Sequence, residues 1–277
     1  MSREHVQRSL EGKHIAVTRA TNQAKSMLDM LEAKGATPYL FPLIKTRKVD
    51  QHQEIQHVLK NLESFSWIIF TSVNSVRYFM QCCREFFGYE EWLERPALKN
   101  IRIAAVGPIT KEVLIQAGWK VDFMPSKAKQ EELGAELSSK IIAGERVLFP
   151  KGNLARKQLK QTLEDYEIDV LEIIVYETVK VKHRQEDVQD FISMLARNQL
   201  DVLTFTSSST IKHFMALLKE NDLQLDWNTS PIIVACIGPI TAQTAKDYGM
   251  NVHIEATPYT GEALVNEIEF YFTRKQV

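Results

Sequence analysis

A chain of 277 residues is long enough for two modest domains, each with its own core. Hydrophobic residues at 44% and charged residues at 25% fit a globular protein in water, and a net charge of -1 excludes the strongly basic class of general nucleic-acid binders. Three cysteines, with Cys82 and Cys83 adjacent and Cys236 remote, supply neither a disulfide framework nor metal-ligand spacing.

Along the chain, short apolar strands alternate with amphipathic helices. His14–Arg19 reads as the first strand, and a helix follows from about Asn22 to Lys34, where Ala24, Met27, Leu28 and Leu31 fall on one face. Gly35 stops that helix, and Pro38–Ile44 reads as the second strand. The polar stretch KTRKVDQHQE is a first crossing. Strands are then expected at Trp67–Phe70, Ile101–Val106, Val121–Met124, Arg146–Pro150 and Val170–Tyr176, with helices near Val73–Phe87 and Ile109–Ala117. A second polar crossing, VKVKHRQEDVQD, leads to strands at Val202–Thr206, Ile232–Ile237 and Val252–Glu255, and a helix from about Gly261. No apolar run approaches the ~18 residues of a membrane span. The N-terminal stretch MSREHVQRSLEGKH lacks the apolar heart of a signal peptide, so a cytoplasmic protein with no membrane partner is expected.

The chain also repeats itself. IRIAAVGPIT, ending at Thr110, returns as IIVACIGPIT, ending at Thr241, and WIIFTSVNSVRYFM from Trp67 returns as VLTFTSSSTIKHFM from Val202. More faintly, GKHIAVTR from Gly12 returns as GERVLFPK from Gly144, and PLIKTRKV ending at Val49 returns as IVYETVKV ending at Val181. A period above a hundred residues means two similar domains rather than a solenoid. Strand–helix alternation implies right-handed crossovers and parallel sheets. The expected architecture is two similar flavodoxin-like α/β domains with parallel five-stranded sheets. Residues 1–44 plus 184–277 form the discontinuous domain and 45–183 the inserted one, the two joined by strand-like linkers near 45–50 and 177–183.

In open parallel sheets, ligands bind beyond the carboxyl ends of the strands, where helix N-termini present unpaired N–H groups. The residues there are Thr18-Arg19, Thr71-Ser72, Gly107-Pro108, Lys151-Gly152, Thr206-Ser207 and Gly238-Pro239. They are small, hydroxylated or basic, suited to carboxylate or phosphate. The paired GPIT turns and TS turns mark a site between two domains, although each residue could equally be a helix cap or turn former. Lys151, at a strand end, is the member of its basic cluster placed near an anionic ligand. Neither GxGxxG, GxxxxGK[ST] nor GxSxG occurs, so dinucleotide, nucleoside triphosphate and serine-hydrolase chemistry are not signalled. The seven histidines are scattered. Tyr176 ends a strand beside the second crossing, where it could pack or act.

The segments FTSVNSV, AVGPIT, VYETVKV, FTSSST and CIGPIT, in this order and spacing, resemble the uroporphyrinogen-III synthase family, the cyclase and isomerase of tetrapyrrole biosynthesis. The resemblance runs from about Gly12 to Phe270. It implies two α/β domains joined by a two-stranded ladder, no cofactor, no metal, and hydroxymethylbilane as the small-molecule substrate; a monomer is expected. The implied reaction expels the bilane hydroxyl, closes through a spirocyclic pyrrolenine and recloses with ring D inverted. Carried over residue by residue, the family's hinge tyrosine falls on Tyr176, its first TS turn on Thr71 and Ser72, and the threonine after its first glycine turn on Thr110. Its second serine turn falls on Ser207 and Ser208, its second glycine turn on Gly238 and Thr241, and its strand-one basic residue on Arg19. Asn74 stands where many members carry alanine. The alternative, from another class, is a two-lobed, non-catalytic small-ligand binding protein.

Overall fold

The computed structural model describes residues 8–50, 52–88, 100–142 and 144–274. The chain divides into two compact units, one made of the chain up to Lys45 together with that from Val179 onward, the other of Thr46–Thr178.

The first unit is built on β1 (His14–Val17), β2 (Thr37–Leu40), β8 (Val202–Phe205), β9 (Ile233–Cys236) and β10 (Val252–Glu255). Their order is β10-β9-β8-β1-β2, with every neighbouring pair parallel. Strands covered by helices on both faces must be apolar throughout, which is why IAV, VLTF and IVAC read as continuous runs. Alternation decides which face each side chain serves. Ile15, Val17, Val202, Ile233 and Ala235 face α1 (Thr21–Ala33) and the C-terminal helix Gly261–Arg274. Ala16, Leu203, Phe205, Val234 and Cys236 face the opposite way, toward helices Gln185–Ala196, Ser208–Glu220 and Pro239–Asp247. The expected stop after α1 holds: Gly35 adopts φ +91°, a left-handed conformation that a side chain disfavours.

The second unit contains β3 (Ile44–Lys48), β4 (Trp67–Phe70), β5 (Arg102–Ala105), β6 (Arg146–Gly152) and β7 (Asp169–Lys180), in the order β3-β7-β6-β4-β5. The pairs β4–β5, β4–β6 and β6–β7 are parallel. One face carries Ile68, Phe70, Ile103, Leu148 and Ile173 against α2 (His52–Lys60), α3 (Val73–Phe87) and α4 (Pro108–Gln116). The other carries Trp67, Ile69, Val147 and Phe149 against α5 (Gln130–Ser138) and α6 (Gln158–Glu164).

Two expectations need correcting. Val121–Met124 is not a strand: it touches β5 through a single bridge, Phe123 to Ala104. The Asp122 carboxylate accepts from the Ile103 backbone N–H at 3.0 Å, and its own N–H donates to the Ile103 carbonyl at 2.9 Å, so side chain and backbone fold back on one residue instead of extending a ladder. The fifth strand of this sheet is β3, from the first polar crossing. Nor does the second apolar segment run unbroken to Ile44; β2 ends at Leu40, and Pro42, which has no N–H to give, separates it from β3. The first unit repeats the Asp122 arrangement with His253, whose Nδ1 accepts from the Val234 N–H at 3.1 Å, but there β10 recovers the ladder after a register shift.

Because Thr46–Thr178 has its own sheet and core, the excised segment is expected to fold alone, with helical and strand dichroism and a cooperative melt. An unfolded Thr46–Thr178 alongside two folded halves cut near residue 140 would overturn this division.

Candidate active site

Both sheets reverse their strand order at one place, between β1 and β8 in the first unit and between β6 and β4 in the second. Crevices at such points bind ligands because the flanking helices leave on opposite faces.

In the second unit this point is bordered by Gly152, ending β6, and by Thr71-Ser72, after β4. Ser72 caps α3: its Oγ accepts from the Ser75 N–H at 3.0 Å, and Ser75 Oγ returns a bond to the Ser72 carbonyl at 2.7 Å. Tyr176, from β7, spans the gap, its hydroxyl 3.4 Å from Ser72 Oγ. It reaches there by crossing Gly152, its partner in the β6–β7 register. A Cβ on Gly152 would lie 2.5 Å from Tyr176 Cζ and 2.8 Å from its hydroxyl oxygen, so only glycine fits beneath the ring. Burial pushes the Tyr176 phenol above its ordinary value, hydrogen bonds from Ser72 and Asn74 pull it back, and Tyr78 adds to the rise. Tyr176 is therefore a neutral proton donor throughout the physiological range.

Gly107 opens α4 in extended backbone and Pro108 takes its first position, leaving the next N–H groups directed outward. Thr110 is buried in the first turn of α4. Lys151 is also buried, and its ammonium pairs with Glu172 at 2.6 Å. Its charge is compensated within the protein.

The first unit presents the matching rim. Ser207 caps Ser208–Glu220, accepting from the Thr210 N–H at 3.3 Å. Ser208 Oγ sits 2.7 Å from Thr244 Oγ1. Gly238 opens Pro239–Asp247 as Gly107 opens α4, and Thr241 is buried like Thr110. The Tyr259 ring lies over Gly238, where a Cβ would meet it at 2.8 Å. Arg19 is the contrast to Lys151. Its Nε donates to Gln23 Oε1 at 3.2 Å, burial lowers its pKa, and among the described residues no carboxylate lies within ion-pair distance. Arginine keeps its charge regardless. The described residues include no group of three or more His, Cys, Asp or Glu side chains placed to hold a metal ion, and no helix long and apolar enough to cross a membrane.

The family model described as uroporphyrinogen-III synthase HemD matches residues 25–266. The chain belongs to the uroporphyrinogen-III synthase family. It is 30% identical to the uroporphyrinogen-III synthase of Synechococcus elongatus over 94% of this chain and 96% of that one. Identity to the uroporphyrinogen-III synthase of Chlorobaculum parvum is 29%, over 92% and 98%. In fold it is similar to uroporphyrinogen III synthase from Thermus thermophilus, with a TM-score of 0.64 at 17% identity over 96% of this chain and 99% of that one. Family members are cyclising lyases, which disfavours the alternative of a non-catalytic binding protein.

The fold gathers the sequence-derived residues into two sets: Thr71, Ser72, Gly107, Thr110, Lys151 and Tyr176 in the second unit, and Arg19, Ser207, Ser208, Gly238 and Thr241 in the first. Sequence reasoning missed Tyr78 and Tyr259, and gave no role to Gly152. Asn74 and Tyr78 are four residues apart on α3, a spacing that puts both on the face toward Tyr176 and was open to detection. Tyr259 follows Pro258 in a stretch without periodicity and gave no signal.

The two cations are expected to respond oppositely to substitution. Lys151→Met strands the Glu172 carboxylate and should cost about 3–5 kcal/mol of stability, largely recovered in Lys151→Met/Glu172→Leu. Arg19→Met should leave denaturant stability near wild type while weakening substrate affinity. A stable Lys151→Met protein with a raised KM would instead make Lys151 a ligand-binding group. Ser72→Ala and Ser207→Ala each remove a cap and should cost about 0.5–2 kcal/mol in denaturant titrations, less for Ser→Gly.

Proposed function

We propose that the protein converts hydroxymethylbilane into uroporphyrinogen III, inverting ring D, with Tyr176 as the proton donor to the departing hydroxyl. The observation that carries this reading is the Tyr176 phenol, neutral and half-buried, held across the strand-order reversal of its sheet beside Ser72.

The chemistry asks little acid and much positioning. The hydroxymethyl carbon sits on an electron-rich pyrrole, so its C–O bond breaks with donation of one proton, giving water and an azafulvenium-type cation. The substituted carbon of ring D attacks that cation, forming the spirocyclic pyrrolenine. The spiro centre fragments, the chain recloses at the other α-carbon of ring D, and rearomatisation releases the proton that restores the phenol. Substrate and product differ by one water. Left alone, the bilane closes without inversion, so the protein must hold it in the contorted arrangement. The substrate carries acetate and propionate groups all round. First-turn N–H groups after Ser72, Gly107, Ser207 and Gly238, with the uncompensated Arg19, match that pattern of anions without a broad basic surface. We further infer a cytoplasmic monomer that needs neither cofactor nor metal.

Purified protein treated with chelator should form uroporphyrinogen III from hydroxymethylbilane; product of only the uninverted isomer would refute the assignment. Tyr176→Phe should lower kcat by about 10–10²-fold with KM little changed and the melt intact. A fully active Tyr176→Phe would leave conformational control as the whole of catalysis. Since burial raises the Tyr176 pKa, the acid stays protonated up to about pH 10 and beyond, and activity should show no titration near neutrality from this group. Any stability linked to it is complete below about pH 10 and falls as pH rises through the raised value.

A further inference from the structure

The Tyr176–Ser72 contact, at 3.4 Å, is too long to fix a ring by itself. Packing does that instead. On one side lies the bare Cα of Gly152, at the register shift between β6 and β7. On the other lies Tyr78 of α3, stacked on Tyr176 with centroids 5.3 Å apart and an interplanar angle of 18°. Tyr78 is itself tethered: its hydroxyl donates to Thr46 Oγ1 at 3.1 Å, and Thr46 belongs to β3, the strand that borders β7 on the side away from β6. The Tyr176 backbone is held as well, its carbonyl accepting from the Asn153 N–H at 3.1 Å while the Asn153 side chain accepts from the Thr178 N–H at 2.9 Å.

The internal repeat supplies a comparison within one molecule. The alignment that matches Gly12 with Gly144 puts Ala20 in the place of Gly152 and Ile44 in the place of Tyr176. The alignment that matches Trp67 with Val202 puts His213 in the place of Tyr78. Ser207 keeps the cap that Ser72 makes, so the shared scaffold survives in both halves. The glycine, the phenol and the stacked ring occur together in one half alone, as expected of parts that serve one another rather than the fold.

We propose that Gly152, Tyr78 and Thr46 are positioning residues that clamp the Tyr176 ring and hold its hydroxyl where the leaving group departs. This rests on the reading of Tyr176 as the acid. Gly152 bars rotation toward β6, Tyr78 bars rotation away from it, and Thr46 fixes Tyr78.

The test uses the full chain and two readouts. In the first, kcat and KM are measured for Gly152→Ala and Tyr78→Leu on the wild-type and Tyr176→Phe backgrounds. Each is expected to lower kcat by about tenfold with KM little changed when Tyr176 is present, and to have no further effect when it is Phe. Tyr78→Phe, which keeps the ring, and Thr46→Val remove the same hydrogen bond and should produce equal, smaller and non-additive losses; they keep the test readable if Tyr78→Leu does not fold. In the second, phenolate absorbance is followed against pH, and the step absent from Tyr176→Phe is assigned to Tyr176. Tyr78→Leu should move that step down toward the ordinary tyrosine value by exposing the ring. Equal losses of kcat on both backgrounds, or an unmoved titration step, would overturn the clamp while leaving Tyr176 as the acid. Full activity of Tyr176→Phe by itself would remove the acid, and the clamp with it.

Discussion

Parallel pairing is the constraint from which the rest follows. When neighbouring strands run the same way, all their carboxyl ends fall on one edge, and every strand-to-helix turn must fall there too. In each unit that edge collects the helix caps, the glycine turns and the unpaired first-turn N–H groups, with no separate device needed to assemble them. The reversal of strand order then opens the edge at one point, between β6 and β4 or between β1 and β8. A chain with soft motifs can thus carry a defined site, because the backbone supplies both the location and many of the donors.

Electrostatics separates the two rims. Arg19 and Lys151 occupy matching places in the repeat, yet Lys151 pairs with Glu172 at 2.6 Å, whereas Arg19 donates to the neutral Gln23 and, among the described residues, pairs with no carboxylate. A buried ion pair closes the sheet edge above Phe149, whose ring the Lys151 ammonium also approaches at 5.9 Å. A net charge of -1 does not exclude anion binding, because helix N-terminal N–H groups bind carboxylates without a basic surface.

Duplication explains both the economy of the fold and its asymmetry. Ser72 and Ser207 make the same cap, Gly107 and Gly238 the same turn, and Thr110 and Thr241 are buried alike. Asp122 and His253 even take the same neighbouring N–H with different chemistry. Against that shared background the Tyr176 neighbourhood stands out, since the repeat has Ala20, Ile44 and His213 where it has Gly152, Tyr176 and Tyr78. Thr46 and Thr178, which tie it down, are the first and last residues of their unit.

The sequence by itself determined most of the architecture. Continuous apolar runs forced doubly covered strands, helical spacing in Thr21–Ala33 and Val73–Phe87 fixed their buried faces, and the repeat required two similar sheets. It also placed Ser72, Gly107, Ser207 and Gly238 at helix starts, since a cap is a local matter of a few adjacent residues. What it could not determine was anything that depends on a partner distant in the chain. Val121–Met124 has the composition of a strand, but Asp122 takes the Ile103 N–H and the segment meets β5 through a single bridge. Lys151 has the position of a ligand-binding cation, and only the register of β6 on β7 brings Glu172 to cancel it. Tyr176 could be named from its motif, but its support by Gly152, Tyr78 and Thr46 comes from three elements up to 130 residues away. Local pattern governs which element forms; which side chains then meet is decided by sheet register and helix docking, because those alone set distances between residues far apart in sequence.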